Sequence, residues 1–198
     1  MRTDGPPEAG DVSRYFPGKL AVDQGEGDLG ARISMAFEQS FYGNADGAAV
    51  IGSDAPLFSA SAIAEGFEAL AHSSSSIRPS DDGGFLLLAL RPRALSRSLF
   101  KQIAWSTDSV SKELISRLTS AGHSPKVMAS GFDVDTAADV RRLCAEIDSL
   151  KKMAPETARF LSSHPGTSGW IFSEARKPGD RAEEEQPQLA LTDCGNSK

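Results

Sequence analysis

Six consecutive apolar residues, Phe85-Leu86-Leu87-Leu88-Ala89-Leu90, stand between the Gly83-Gly84 pair and Arg91-Pro92. An unbroken run of this length reads as a strand buried on both faces, so the chain must supply a layer on each side of it. The flanking sequence supplies helices. Leu29, Ile33, Ala36, Phe37 and Phe41 recur at helical spacing and stop at Gly43, which suits a left-handed turn past a helix end. Ala48-Ala49-Val50-Ile51 predicts a short strand, and Ser59 then caps a helix carrying Ile63, Phe67 and Leu70. A flexible serine run at residues 73–76 leads into a short strand at residues 77–79. Thr107 is expected to cap a helix with Val110, Leu114, Ile115 and Leu118 on its inner face, ended by Gly122. Lys126-Val127-Met128-Ala129 reads as another strand. Thr136 with Asp139 makes a capping-box start for the helix of Val140, Leu143 and Ile147, and a last helix starts near Pro155. Alternating strands and helices predict an α/β architecture with a mainly parallel sheet.

The 198 residues suffice for one domain with a real core, expected over residues 16–172. Residues 1–15 read as a polar leader and residues 173–198, with Glu183-Glu184-Glu185, as an acidic tail, both too poor in apolar side chains to offset ordering entropy. Acidic residues outnumber basic ones by 27 to 21 and the basic ones are scattered, which argues against a nucleic-acid partner. Cys144 and Cys194 are far apart, suggesting neither a disulfide framework nor a thiolate metal site. No segment approaches the roughly 20 apolar residues of a membrane span, and no signal peptide opens the chain. A cytoplasmic protein is expected.

In parallel sheets ligands sit at the carboxyl ends of the strands, and four loops there are unusual. Gly52-Ser53-Asp54-Ala55-Pro56 follows a strand and could project a carboxylate over the sheet edge toward a hard divalent cation, although the same residues make an ordinary turn. Asp133 and Asp135 are two apart and would point the same way from extended backbone, or would simply decorate a positive helix end. Ser80-Asp81-Asp82-Gly83-Gly84 could let backbone approach a ligand or could form a hairpin turn. Gln24-Gly25-Glu26-Gly27-Asp28-Leu29-Gly30-Ala31-Arg32 is a glycine-rich approach to a helix that could cradle an anion, with Asp28 as its cap. His72, His123 and His164 show no triad or metal spacing and read as surface or capping residues.

In order, Gln24 through Arg32, Gly52 through Pro56, Asp82-Gly83-Gly84-Phe85, Trp105-Ser106-Thr107 and Asp133-Val134-Asp135-Thr136 resemble one family. It is the family of domain of unknown function 2064, uncharacterised bacterial transferases labelled glycosyltransferase-like or linked to radical-enzyme and selenoprotein-like domains. They are built on the nucleotide-diphospho-sugar transferase fold. Guanylyltransferases for phospholactate and molybdopterin share that fold and have aspartate motifs similar in position to Asp54 and Asp135. The resemblance implies a metal-dependent transferase using a nucleotide or nucleotide-sugar and an acceptor, with Mg2+ or Mn2+ at Asp54 and Asp135. It implies Gln24, Gly25, Asp28 and Gly30 near the nucleotide, Gly83, Gly84 and Trp105 on the acceptor side, and Asp82 as the candidate catalytic base. Two departures stand out. The family has an opening strand with a basic phosphate loop, a helix and a second strand where this sequence has a short polar leader, and Phe85 replaces a usual tyrosine. A partial sheet, weak nucleotide binding and association through the uncovered edge are the expectations, with a non-catalytic binding module as the alternative.

Overall fold

The computed structural model describes residues 25–163. Phe85–Leu90 is a strand within a four-stranded sheet, and Leu86 to Leu90 are each at most 3% exposed. With β1 at Ala48–Ile51, β2 at Ser75–Pro79, β3 at Phe85–Leu90 and β4 at Lys126–Val127, the order across the sheet is β1-β3-β2-β4. Side chains of a strand alternate between faces, and β3 divides accordingly. Leu88 and Leu90, with Ile77 of β2, join Ile33, Phe37, Phe100, Val110 and Leu114 on one face. Leu87 and Ala89 join Leu70, Phe58 and Ile63 on the other. The first face is covered by α1 (Leu29–Tyr42) and α3 (Val110–Ser120), the second by α2 (Ala60–Glu68). Truncating fully buried Leu88 to Ala would cost about 3–4 kcal/mol in lost transfer energy and residual cavity.

The sheet is mixed rather than mainly parallel. β3 is antiparallel to both its neighbours, while β2 and β4 pair parallel, so β1, β2 and β4 run one way and β3 the other. The physical reason is the connection: only residues 80–84 separate β2 from β3, and a parallel crossover needs a dozen residues or more. Among the described residues, β1 is paired on one side only and forms an edge.

Residues 73–76 are not a flexible run: Ser75 and Ser76 open β2, and Ser74, Ser75 and Ser76 are buried. Small hydroxyl side chains let neighbours close in. Ser76 Oγ donates to Gly66 O at 2.7 Å, where a side chain on Gly66 would press into Leu87, so α2 sits directly on the sheet. Ser74 Oγ bonds His123 Nδ1 at 3.0 Å, tying β2 to the turn after α3. Asp28 and Ser59 cap their helices through side-chain oxygens, as their positions predict. Gly43 ends α1 without a positive φ, and Asn44 takes the left-handed conformation instead. Thr107 does not cap α3; its hydroxyl donates to Ala104 O, and the helix N-cap is Ser109. The Ser111 amide in the first turn is satisfied by Gly83 O at 2.9 Å.

The predicted strand at residues 126–129 contracts to Lys126–Val127. After it, α4 (Ala137–Ala145), α5 (Ile147–Met153) and α6 (Pro155–Ser163) bury Leu143, Leu150 and Ala158 against Leu57, Phe132 and Val134. This small cluster fixes the loop carrying Asp133 and Asp135. The proposed leader, the tail, Gln24, His164 and Cys194 lie outside the described residues. No described helix is long and apolar enough to cross a membrane.

Candidate functional site

Because β1, β2 and β4 run the same way, the loops that follow them emerge at one end of the sheet. Main-chain bonds join these loops. Val134 N donates to Asp54 O at 3.0 Å, and Asp81 N donates to Gly131 O at 2.8 Å. Ser80 and Gly131 form a parallel bridge. The hairpin between β2 and β3 depends on Gly83 at φ +96°, where a Cβ would fall on the Asp108 backbone. Residues 80–84 are thus a hairpin turn and a carboxylate carrier at once.

The convergence brings Asp82, Asp133 and Asp135 together, with one carboxylate oxygen from each lying within 4.8 Å of the others. Asp82 Oδ1 accepts from Gly84 N at 2.8 Å, and Asp133 Oδ1 accepts from Ser80 Oγ at 2.7 Å, so two of the three are held in place. Asp135 has its carboxyl pushed above the usual carboxylate range, first by partial loss of solvent although the residue is exposed overall. Its acidic neighbours Asp133, Asp54, Asp82 and Asp139 push it further in the same direction. Asp54 therefore belongs to the same electrostatic cluster. Asp139 and Asp81 lie apart from the ring and are shifted the other way. Asp139 is lowered chiefly by the Thr136 hydroxyl in the capping box, and Asp81 chiefly by its 2.8 Å bond to Arg142. Arg142 also lies over the Phe132 ring at 3.9 Å, steadying the loop that leads into Asp133.

A cleft of about 510 Å³ opens beside the carboxylates. Its walls are one face of α1, with Leu29, Arg32 and Ile33, the strand residues Val50 and Ile51, and the Trp105-Ser106-Thr107 segment. Asp54, Asp82, Asp133 and Gly84 line its acidic end. Trp105 lines it too, although its Nε1 is buried and has no acceptor among the described residues. Gly30 is placed differently: a side chain there would meet Phe100 O and the Trp105 indole, so its smallness lets α1 pack against that segment. Gly25, at φ +73°, packs on Met35 of the cleft wall, while Asp28 is occupied as the α1 cap. Gly83 shapes the hairpin from behind, and Gly84 faces the cleft.

The sequence reading paired Asp54 with Asp135 as metal ligands and gave Asp82 a separate role. The structure groups Asp82 with Asp133 and Asp135. Arg32, read in the sequence only as part of a glycine-rich motif, lines the same cleft from α1; its position three residues after Leu29 on the cleft-lining side was the available signal.

A family model described as an uncharacterized protein conserved in bacteria (DUF2064) matches residues 4–107, just over half of the chain. The chain belongs to that family. This member of DUF2064 has the fold of a crystal structure from Desulfovibrio desulfuricans G20, provisionally named a nucleotide-diphospho-sugar transferase. The two share 22% identity with a TM-score of 0.74, over 84% of this chain and 73% of the other. At that identity the likeness establishes the fold alone. Comparison with curated proteins yields no significant match. The family model ends at Thr107, so it covers Asp54 and Asp82 but not Asp133 and Asp135.

Proposed function

We propose that the chain is a divalent-metal-dependent transferase whose substrate is a nucleotide or nucleotide-sugar. The observation that carries this reading is the charge of the cleft. Among the described residues its lining offers one cation, Arg32, against Asp54, Asp82 and Asp133, and Asp135 adds to the same acidic group. A diphosphate would be repelled from such a surface unless a cation stood between. The donor set fits a hard ion: several carboxylates on separate loops provide oxygen ligands of the kind Mg2+ and Mn2+ take. Asp82, Asp133 and Asp135 would hold it, with Asp54 adjoining. Such an ion, when bound, neutralises diphosphate charge as it develops on a leaving group.

The chain's own residues do the positioning. Arg32 lines the cleft from α1 and can pair with a phosphate oxygen. Leu29, Ile33, Val50 and Trp105 form an apolar surface against which a base or sugar face can lie. Asp82, held by Gly84, takes a place among the metal ligands in this reading rather than acting as a free base.

The test is calorimetry with nucleoside diphosphates and nucleotide-sugars, with Mn2+ and with chelator. Binding should require the metal, and Asp82→Asn and Asp133→Asn should each reduce Mn2+ affinity by at least about tenfold, or 1.4 kcal/mol. Equal nucleotide affinity in chelator would overturn the reading.

A further inference from the structure

Three unfavourable features meet in the segment that leads into α3. Gln102 at φ 56° and Ser106 at φ 61° hold the left-handed conformation without being glycine. Between them, the Trp105 Nε1 is buried with no acceptor among the described residues. Left-handed backbone at such residues and an unpaired buried N–H each cost free energy, so the segment keeps its shape only where other contacts over-determine it. Backbone outliers of this kind gather where a ligand is met. Trp105, Ser106 and Thr107 do line the cleft.

The contact that holds the segment comes from outside the cleft. Arg117, on α3, donates from Nη1 to the carbonyl oxygens of Ser98 at 2.9 Å and Leu99 at 3.3 Å, and to that of Lys101. Its Nε donates to Glu113 Oε1 at 2.7 Å, one turn earlier on the same helix, which fixes the direction of the guanidinium. Bonds from this charged, planar group are stronger and more directional than neutral ones. The other end of the segment runs straight into α3, whose N-cap is Ser109. Residues 102–108 are therefore tied to one helix at both ends, by the Arg117 clamp and by the helix start. On its far side the segment meets α1, where a side chain on Gly30 would strike Phe100 O and the Trp105 indole. Arg117 itself lies outside the cleft lining, so its bonds act on the wall and not on a bound molecule.

We propose that Arg117 is a positioning residue for the cleft: by gathering the carbonyls of Ser98, Leu99 and Lys101 it holds the Trp105-Ser106-Thr107 wall at the spacing from α1 that a ligand's base or sugar face requires. Without it, Gln102 and Ser106 relax toward ordinary backbone and carry the indole off Gly30. The ligand clause rests on the nucleotide reading above, whereas the clamp rests on the wall alone. The metal end is held separately, Asp82 by Gly84 and Asp133 by Ser80.

Two variants test it in a Trp170→Phe background, where Trp105 is the remaining indole. Arg117→Met keeps an unbranched apolar stem and removes the donors; Arg117→Lys keeps a charge but cannot reach Glu113 and all three carbonyls together. Hydrogen exchange at the Trp105 indole, followed by NMR, should be at least about tenfold faster in Arg117→Met, and affinity for ADP, GDP, UDP and CDP in Mn2+ about tenfold weaker, with affinity for Mn2+ alone within about twofold of the parent. Arg117→Lys should fall between parent and Arg117→Met in both readouts, and it decides the matter if Arg117→Met does not fold. A residue that merely stabilises the fold would lower Tm yet leave indole exchange and nucleotide affinity unchanged well below melting, and that result would overturn the proposal. A released indole with unchanged nucleotide affinity would overturn it equally. If the parent binds none of the four nucleotides, the nucleotide reading falls, and indole exchange still decides whether Arg117 holds the wall.

Discussion

The Ser80 hydroxyl donates to Asp133 Oδ1 at 2.7 Å, bridging the hairpin that carries Asp82 to the loop that carries Asp133 and Asp135. One oxygen of Asp133 is thereby fixed in direction. Removing the donor with Ser80→Ala should lose about 1 kcal/mol of positioning, which is roughly a fivefold weaker Mn2+ affinity by titration. Ser80→Thr, which keeps the hydroxyl, should retain most of the affinity.

Gly83 sits at φ +96° with no room for a side chain against Asp108, and its carbonyl satisfies Ser111 in the first turn of α3. Gly83→Ala therefore meets both backbone strain and a clash. Unfolding in urea should show a loss of at least about 2 kcal/mol. Gly122→Ala is the useful contrast: it shares the positive φ but has open space around it, so its loss should be smaller.

Asp135 is shifted upward, so its ionised form is disfavoured in the folded chain and the sign of its contribution is destabilising at neutral pH. That penalty is present above the raised folded value and fades as pH falls through it toward the unfolded value. At pH 7 and without metal, Asp135→Asn should melt about one or two degrees higher than the parent chain. The gain should shrink in acid. With saturating Mn2+ the order should reverse, because the variant loses a ligand oxygen.

Asp139 and Asp81 titrate in the opposite sense. Their folded values are lowered from 3.8, Asp139 by the Thr136 hydroxyl and Asp81 by Arg142, so each contributes stability above that unfolded value and loses it as pH falls through the lowered one. Asp139→Ala should cost about 1 kcal/mol at pH 7 through loss of the capping box, with the difference closing as pH falls below 3.8 through the lowered folded value. Urea unfolding of both chains at several acid pH values would measure it.

Much of the fold was legible where local chemistry and burial agree. The Phe85–Leu90 run, the Asp28 and Ser59 caps and the Thr136/Asp139 capping box each state their structure within a few residues. Residues 73–76 misled because serine is polar by composition, yet here the hydroxyls of Ser73, Ser74 and Ser76 are hydrogen-bonded at the start of β2, a fact visible only once Gly66, His123 and Ser124 are placed around them. Strand direction was also within reach: five residues between Pro79 and Phe85 permit a hairpin and forbid a crossover. In the candidate site, the spacing of Asp133 and Asp135 pointed to a pair. The grouping of Asp82 with them depends on β2 lying beside β4, an order that strand-by-strand reading does not supply.

The hydrogen bond from Val134 N to Asp54 O joins peptide to peptide and involves no side chain of either loop. The two aspartate loops would therefore keep their spacing whichever residues occupy positions 54, 133 and 135. Over evolutionary time such an arrangement lets the ligands be exchanged, carboxylate for amide or imidazole, without first rebuilding the scaffold. If the proposed metal site holds, descendants of this chain could change the ion it takes, or abandon it, through single substitutions that leave the end of the sheet in its present shape.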